Sequence, residues 1–414
     1  MLVLLLFRIA AVTAQLSLGT DPDKFKLIDE FIESRGFIAQ SHSVLTNDGY
    51  FITLHRIVHP NRRATRFPVP FQSTGLSVEW LRNSPGGNVD EPLDFVGPNI
   101  VFEVAKRGYD VWLLDQRGAL PYSANHTKYT INDLEYWDWS MDELALFDLP
   151  AAIDFIRRTT SRQRIGFIAL QYISTLYFFL ASKVARFNQI VQPFIAVAPV
   201  FGQRHGDFDR QTLARRMETS KRRRGRIYPL GYNTVPLRLL CPNNIAELLV
   251  CKPALYLMLT SVFPKGRLGS LNYDRIVVYA STGPATPSNW QFSQQYSLVM
   301  SDKITMMDIN PVVNLQRYGL LTPPEYFPNR ITNPEMHFIS APSDQQFDQQ
   351  DLNSLKQRLG VRVRSEFVIP ADFTVPCRSR TESLRMSSTS LTSRSCRFYS
   401  NIGDQKWLQC PSIF

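Results

Sequence analysis

The residues most able to do chemistry lie in one stretch, 162–182, where a short apolar run passes directly into a run with helical spacing. Ile165–Leu170 is typical of a buried strand, and the apolar residues after it recur at three- and four-residue intervals, as in a helix. Many hydrolases place a serine nucleophile at such a turn, in the pattern Gly-x-Ser-x-Gly, because the tight turn needs small flanking residues. The five positions here read Ala169-Leu170-Gln171-Tyr172-Ile173. The chain therefore has the scaffold of a nucleophile elbow and lacks its serine.

Replacement of the serine changes what this turn can do. A carboxamide such as that of Gln171 has no proton to lose at neutral pH and cannot become an acylating nucleophile. A β-branched residue, Ile173, at a site of tight turning predicts that the strained backbone of the elbow has relaxed. Ser174 and Thr175 lie nearby, but inside the predicted helix, where the geometric demands of a catalytic triad argue against their recruitment.

Length and composition predict one large packed domain with an insertion. The 414 residues are 44% hydrophobic and 12% aromatic, which argues against disorder. The formal net charge of +10 is concentrated in the C-terminal tail and in a cluster that begins at Arg215 and ends at Arg226. Nucleic-acid binding would rest on this charge alone, without any recognition motif, and is set aside. No metal constellation, phosphate-binding glycine loop or dinucleotide fingerprint is present, so no cofactor is predicted.

Several features predict export. Residues 1–14 combine apolar runs with the small-residue sequence Val12-Thr13-Ala14 and read as a signal peptide, the alternative being a buried strand or the start of a helix. No later stretch is long and apolar enough to span a bilayer. The triplet Asn125-His126-Thr127 is a glycosylation sequon. We therefore expect a secreted or lysosomal protein.

Five cysteines are too few for a disulfide scaffold and too widely spaced for a zinc site. Cys241 and Cys251 are close enough in sequence to close a small disulfide loop in an oxidising compartment. The odd count leaves at least one thiol unpaired or joined to another chain. The pairing of Cys377, Cys396 and Cys410 stays open.

The order of elements predicts an α/β fold with a mostly parallel sheet covered by helices on both faces. A surface helix over residues 21–35, ending at Gly36, is predicted before two strands joined through Asn47-Asp48-Gly49, a hairpin signal. Strand-like and helix-like runs then alternate up to the apolar residues 194–200. The pattern is interrupted by a basic, helical segment and resumes near Pro334, with strands at 336–339 and 361–369. Residues 378–414 are rich in Ser, Thr and Arg, with little periodicity, which is typical of a disordered tail or of a misread end of the gene.

Longer motifs resemble one family. They are residues 42–57 (His-Ser-Val-Leu-Thr-Asn-Asp-Gly-Tyr-Phe-Ile-Thr-Leu-His-Arg-Ile), 110–113 with Arg117-Gly118 and Tyr122-Ser123, 135–143 (Glu-Tyr-Trp-Asp-Trp-Ser-Met-Asp-Glu), 147–156, 198–200, 314–319 and 322–326. Together, and in this order, they resemble the acid lipases, the group of gastric and lysosomal acid lipases, over roughly residues 21–369. The resemblance implies an α/β-hydrolase fold with an inserted helical cap and lid, and hydrolysis of triacylglycerols, cholesteryl esters or related lipid esters.

The resemblance also implies boundaries. They are a signal peptide at 1–14, the first part of the hydrolase core at 15–201, the cap at 202–303, the last part of the core at 304–375 and an irregular tail at 376–414. The Arg215 to Arg226 cluster would then lie in the cap, where it either touches anionic lipid head groups or forms a solvated helix face.

By the same resemblance, the nucleophile position falls on Gln171, the acid on Asp344 and the histidine near Thr374. In this fold the histidine follows the acid, and none of the six histidines (His42, His55, His59, His126, His205 and His337) follows Asp344. Without partners, Asp344 is expected to cap the following helix. His337 is expected to be a packed strand residue. The oxyanion donors would be backbone amides near Gly75 or Leu76 and at Tyr172.

These losses predict a secreted acid-lipase-family protein that has lost catalysis and keeps a cleft for a lipid or fatty-acyl ester, because binding can outlive chemistry. The alternative is an active lipase or carboxylic ester hydrolase with a rearranged site or a faulty gene model.

Overall fold

The computed structural model describes residues 21–73, 76–82, 86–91, 99–206, 209–227, 247–262, 273–281, 287–301, 303–341 and 348–368. Its strands are β1 (Ile38–Leu45), β2 (Phe51–Val58), β3 (Pro68–Gln72), β4 (Asp110–Asp115), β5 (Ile165–Leu170), β6 (Val191–Val197), β7 (Met336–Ser340) and β8 (Ser365–Val368). They form one 8-stranded sheet in the order β1-β2-β4-β3-β5-β6-β7-β8. Only β2 runs antiparallel to its neighbours, and β3 to β8 are mutually parallel. The carboxyl ends of β3 to β8 therefore meet at one edge of the sheet.

Helices cover both faces of this sheet. They are α1 (Ile28–Glu33), α2 (Ile100–Lys106), α3 (Met141–Glu143), α4 (Leu149–Thr160), α5 (Tyr172–Lys183), α6 (Phe187–Ile190), α7 (Arg210–Lys221), α8 (Lys252–Val262), α9 (Ile276–Ser281), α10 (Asn289–Met300), α11 (Pro311–Tyr318) and α12 (Gln349–Arg358). A π-helical turn, Leu144–Asp148, joins α3 to α4, and short turns lie at Ser77–Trp80, Glu135–Trp137, Glu247–Cys251, Tyr273–Arg275 and Pro328–Arg330. One large core cluster lies between α3 to α5 and the sheet, and a second lies on the opposite face with α1 and α2. The predicted fold class is confirmed.

Of two local predictions near the start of the chain, one is confirmed and one differs from the outcome. The hairpin through Asn47-Asp48-Gly49 is confirmed, with Leu45 paired to Phe51 across the turn. The first helix is much shorter than residues 21–35. Three of its six residues, Ile28, Phe31 and Ile32, are buried, so α1 packs on the sheet and is not the expected surface helix. Its alternating charges support only one turn and a half before Gly36 turns the chain with a φ of 80°.

Arg117 brings together residues from three of the motifs that resemble the acid lipases. Its guanidinium is fully buried, donates to Asp148 Oδ1 at 2.8 and 2.6 Å, and donates to Asp48 Oδ2 at 2.6 Å. The ring of Tyr50 lies 3.9 Å from the guanidinium carbon. The hairpin, the end of β4 and the start of α4 are thus joined through one buried cation, whose loss would leave uncompensated buried carboxylates.

The segment between β6 and β7 contains α7 to α11 and no described strand of the sheet. Two residues near its middle, Glu247 and Arg275, form ion pairs with residues 21–24. Arg275 lies 3.0 Å from Asp21 and 2.9 Å from Asp23, and Lys24 lies 2.7 Å from Glu247. We call residues 202–303 the cap below; its boundaries stay a prediction.

Candidate functional site

The elbow keeps the backbone geometry of a nucleophile turn. Gln171 follows β5 directly and stands at the N-cap of α5 with φ 53° and ψ −122°. Few non-glycine residues adopt such a conformation, and it is held only where the surroundings determine it. Those surroundings are the sheet and the helix: the Gln171 amide donates to Val197 O at 2.8 Å, and the Ser174 amide donates to Gln171 O at 2.9 Å. The prediction of a relaxed elbow, based on Ile173, was wrong.

The two positions that are glycine in the nucleophile pattern carry side chains here. Ala169 is fully buried and Ile173 is 3% exposed, and both belong to the core cluster under α5. Gln72, at the end of β3, pairs in register with Ala169. Both polar atoms of the Gln72 carboxamide are buried without a hydrogen-bond partner. Buried side chains therefore stand at both positions that are glycine in the nucleophile pattern.

The neighbouring hydroxyl groups are committed to structural bonds. Ser174 Oγ donates to Gln171 O at 2.5 Å and accepts from the Val200 amide at 3.0 Å. Thr175 Oγ1 donates to Val200 O at 2.6 Å. Both residues are completely buried. These two hydroxyls tie the first turn of α5 to the chain after β6, which agrees with the expectation that neither acts as a nucleophile.

The predicted oxyanion side is well anchored. Leu76 is 2% exposed, and its carbonyl accepts from Ser73 Oγ at 2.8 Å. The next residue, Ser77, donates its amide and its hydroxyl to Asp115 Oδ1 at 2.6 and 2.7 Å. Asp115 at the end of β4 thereby fixes the turn after Leu76. Gly75 lies outside the described residues, and the role of the Leu76 and Tyr172 amides stays a prediction.

Tyr172 connects the elbow to the cap. Its hydroxyl donates to Gln203 Oε1 at 2.8 Å, and the Gln203 amide donates to Leu298 O at 2.8 Å. Burial raises the pKa of Tyr172, with a further contribution from Tyr296 on the same cap helix. Helix α10 therefore lies over the elbow, and Tyr172 remains a neutral phenol near it.

The predicted acid position, Asp344, and the predicted histidine position, Thr374, both lie outside the described residues, and their roles stay predictions. The capping role expected for Asp344 is taken by Asp348, whose side chain accepts from the Gln350 amide at 2.7 Å at the start of α12. Because α12 begins at Gln349, its N-cap position falls on Asp348, and Asp344 lies outside the described residues.

The histidine that precedes Asp344 is structural, as expected. His337 lies within β7, is 2% exposed, and shares a hydrogen bond of 2.7 Å with Ser365 Oγ on β8. Burial lowers the pKa of His337, which keeps the ring neutral. His205 pairs instead with Asp351 on α12 at 2.8 Å and is 44% exposed.

A buried carboxylate, that of Asp142, joins the core to the cap and was missed by the sequence analysis, where this residue appeared only within the motif at 135–143. Its Oδ1 accepts from Gln294 Nε2 on α10 and from Tyr326 OH, both at 2.8 Å, and its Oδ2 accepts from the Met307 amide at 2.7 Å. Burial raises the pKa of Asp142 to about 6, and the nearby Glu143 carboxylate adds to the shift. No local pattern could have identified these distant partners.

The remaining predictions concern a disulfide, a glycosylation site, metal sites and membrane spans. Cys251 is disulfide-bonded, while Cys241 lies outside the described residues, so their pairing stays a prediction. Asn125 is exposed, and its glycosylation stays a prediction. Among the described residues, no cluster of His, Cys, Asp and Glu could hold a metal ion, and no helix there is long and apolar enough to cross a bilayer.

The strand order, the single antiparallel strand within it and a strained elbow at the carboxyl edge define the α/β-hydrolase class of proteins. The sequence profile of a partial alpha/beta-hydrolase lipase region matches residues 28–77. Bovine gastric triacylglycerol lipase is 28% identical over 357 residues, which cover 83% of this chain and 84% of that protein. Human lipase member K is 28% identical over 79% of this chain and 82% of its own length. Among solved structures, a mutant epoxide hydrolase from Bacillus megaterium aligns at 13% identity over 80% of this chain and 93% of its own, with a TM-score of 0.42. These similarities support assignment of the chain to the acid lipase family.

Proposed function

We propose that this chain is an acid-lipase-family protein that no longer forms an acyl-enzyme and that binds a lipid or fatty-acyl ester at the carboxyl edge of the sheet, beneath the cap. One observation carries the proposal. Gln171 occupies the elbow with the backbone conformation of a nucleophile residue and offers only a carboxamide.

The chemistry of ester hydrolysis needs several groups that act as one unit. A serine must attack, a histidine must take and return its proton, and an acid must orient the histidine. The nearest hydroxyls, on Ser174 and Thr175, are buried in structural hydrogen bonds. No histidine follows Asp344 in the sequence. Loss of nucleophile and base together leaves at most weak rate enhancement from binding and from oxyanion donors.

A retained binding role is supported by what surrounds the elbow. Hydrogen bonds join Ser77, in the turn after Leu76, to Asp115 at the end of β4, Tyr172 to Gln203, and Asp142 to Gln294 on cap helix α10. None of them involves a nucleophile. Relatives named as triacylglycerol lipases make a triacylglycerol or another fatty-acyl ester the best candidate ligand. We also propose that the chain is secreted or lysosomal and is glycosylated at Asn125.

The decisive experiment compares turnover and binding on the same preparations. The natural full-length protein is assayed on short and long acyl esters beside Gln171→Ser/Thr374→His, and a fluorescent fatty acid reports binding. The matched control is Gln171→Ala/Thr374→His, which has the histidine and no nucleophile. We expect no turnover by the natural protein or the control, measurable turnover by the serine variant, and acyl binding by all three.

Two outcomes would contradict the proposal. Turnover by the natural protein that survives in the Gln171→Ala/Thr374→His control would identify an active hydrolase with a rearranged site. Absence of acyl binding in the natural protein, with the fold intact by circular dichroism, would remove the binding role.

A further inference from the structure

Helix α11 and the turn after it expose four large apolar side chains. Val312 is 66% exposed and Leu315 is 51% exposed on the outer side of the helix. Gly319, with φ 69°, ends the helix, and Leu320 and Leu321 follow at 52% and 61% exposed. Single exposed apolar residues are normal on a soluble protein, but adjacent ones indicate an interaction site. We call these four residues the α11 patch.

The α11 patch stands on a rigid support. Asn314, the buried residue of α11, donates to Asp308 Oδ1 at 2.8 Å and to Leu321 O at 3.1 Å. On the other side of the helix, Arg317 lies 2.5 Å from Glu143, and Tyr318 OH donates to Met307 O at 2.9 Å. The apolar side chains are therefore presented in a fixed arrangement, so their exposure does not result from a loose segment.

A basic surface adjoins the α11 patch. Lys221, at the end of α7, lies 2.9 Å from Asp308, the residue that also holds Asn314. Exposed arginines lie on α7 and directly after it: Arg215, Arg216, Arg222, Arg223 and Arg224. The acidic groups beside them are already paired: Asp308 with Lys221, Glu218 with Arg222 at 2.8 Å, and both Asp138 and Glu135 with Arg224. Within the described part of the chain, Arg216 and Arg223 have no acidic partner, so this surface carries excess positive charge.

We propose that the α11 patch and the adjoining arginines dock the protein on an anionic lipid surface. The apolar side chains would enter the boundary between head groups and acyl chains, while the guanidinium groups remain among the anionic head groups. The apolar groups match the acyl chains of such a surface, and the cationic groups match its anionic head groups. A second copy of the chain is a poorer occupant, because four apolar residues fall far short of the roughly 20 residues per partner in a stable interface.

This docking surface goes beyond the proposed function, because it uses none of the elbow residues and requires neither catalysis nor acyl binding. Its test uses the full-length protein and vesicles of phosphatidylcholine with and without phosphatidylserine, at low and raised salt. Leu320→Ser/Leu321→Ser should weaken vesicle binding at least about tenfold on both compositions, because less apolar area is buried. Arg216→Gln/Arg223→Gln should weaken binding about tenfold or more on anionic vesicles at low salt and leave binding to phosphatidylcholine unchanged.

Matched controls carry the same chemical changes elsewhere on the surface. Ile38→Ser/Leu45→Ser removes two apolar side chains that are 47% and 53% exposed on β1, and Arg62→Gln/Arg63→Gln removes two exposed arginines after β2. Both controls should bind vesicles like the natural protein. Equal losses in patch variants and controls would overturn the proposal. So would unchanged vesicle binding together with conversion of a dimer to a monomer by the patch variants in sedimentation. Fatty-acid binding, measured in parallel, separates failure of this proposal from failure of the proposed function.

Discussion

At the scale of single residues, Gln171 shows that the geometry of a catalytic turn and its chemistry are separable. The strained conformation is imposed by hydrogen bonds to Val197 and Ser174, neither of which depends on the side chain at position 171. A carboxamide can therefore occupy the turn without altering it. The backbone preference of the β-branched Ile173 predicted a relaxed turn. The hydrogen bonds to the sheet and the helix outweigh this preference, because they fix both ends of the turn.

This separation gives a stability prediction. Gln171→Gly should be more stable than Gln171→Ala by about 1 kcal/mol, because glycine adopts the positive φ without the steric cost that a Cβ carries. The two variants lack the carboxamide equally, so their difference isolates the backbone conformation. Urea unfolding midpoints of both proteins measure it. An alanine variant as stable as the glycine variant would mean that the turn is not strained.

At the scale of elements, Asp142 makes the junction between α3 and cap helix α10 sensitive to pH. The pKa of its carboxyl is raised to about 6 in the folded protein, against an ordinary value of 3.8. The folded state therefore binds a proton more readily than the unfolded state, so this group adds stability as pH falls through the interval from about 6 to 4 and removes it as pH rises.

The test compares the natural protein with Asp142→Asn, which cannot titrate. The stability of the natural protein relative to the variant should rise by about 2 kcal/mol on going from pH 7 to pH 4. Urea unfolding of both proteins at the two pH values measures this difference. A relative stability that stays constant or falls on acidification would show that the Asp142 carboxyl is not held in its neutral form.

The sequence predicts elements better than it predicts their connections. Strand β5, the helix after it and the hairpin through Asp48 follow from local spacing and turn chemistry, and the structure contains all three. The partners of Asp142 do not follow, because Gln294 and Tyr326 are 152 and 184 residues away. Pairings over such distances depend on the packing of the whole chain. The sequence therefore predicts that a cap segment is present but does not predict its contacts with the core.

At the scale of the whole molecule, the cap is fastened to the first described residues of the chain by Arg275. This residue is 3% exposed, and its guanidinium donates to Asp21, Asp23 and the carbonyl of Arg82 at 3.0, 2.9 and 3.0 Å. Although burial alone would raise it, the pKa of Asp23 is lowered by the adjacent guanidinium groups of Arg35 and Arg275. Removal of Arg275 would leave buried carboxylates without part of their compensating charge.

We expect Arg275→Met to loosen the cap while the sheet stays intact. Amide hydrogen exchange should become at least about tenfold faster in α9, because opening of this region costs less once the buried pair is broken, and should stay unchanged in β5 and β6. Arg222→Met, which removes an exposed ion pair with Glu218, is the matched control and should change neither region. Faster exchange throughout the sheet would instead assign Arg275 to global stability.

The contact between Arg275 and Asp21 also sets an order of events during folding. It closes a loop of 254 residues, among the longest separations in the described part of the chain. Contacts of this span form late, because the entropy of closing the loop is lost before the contact is gained, and because Asp21 is synthesised long before its partner. A growing chain can thus contain β1 to β6 while Asp21 still lacks its partner Arg275. We expect variants at either end of this contact to accumulate as proteins with a formed sheet and an undocked cap.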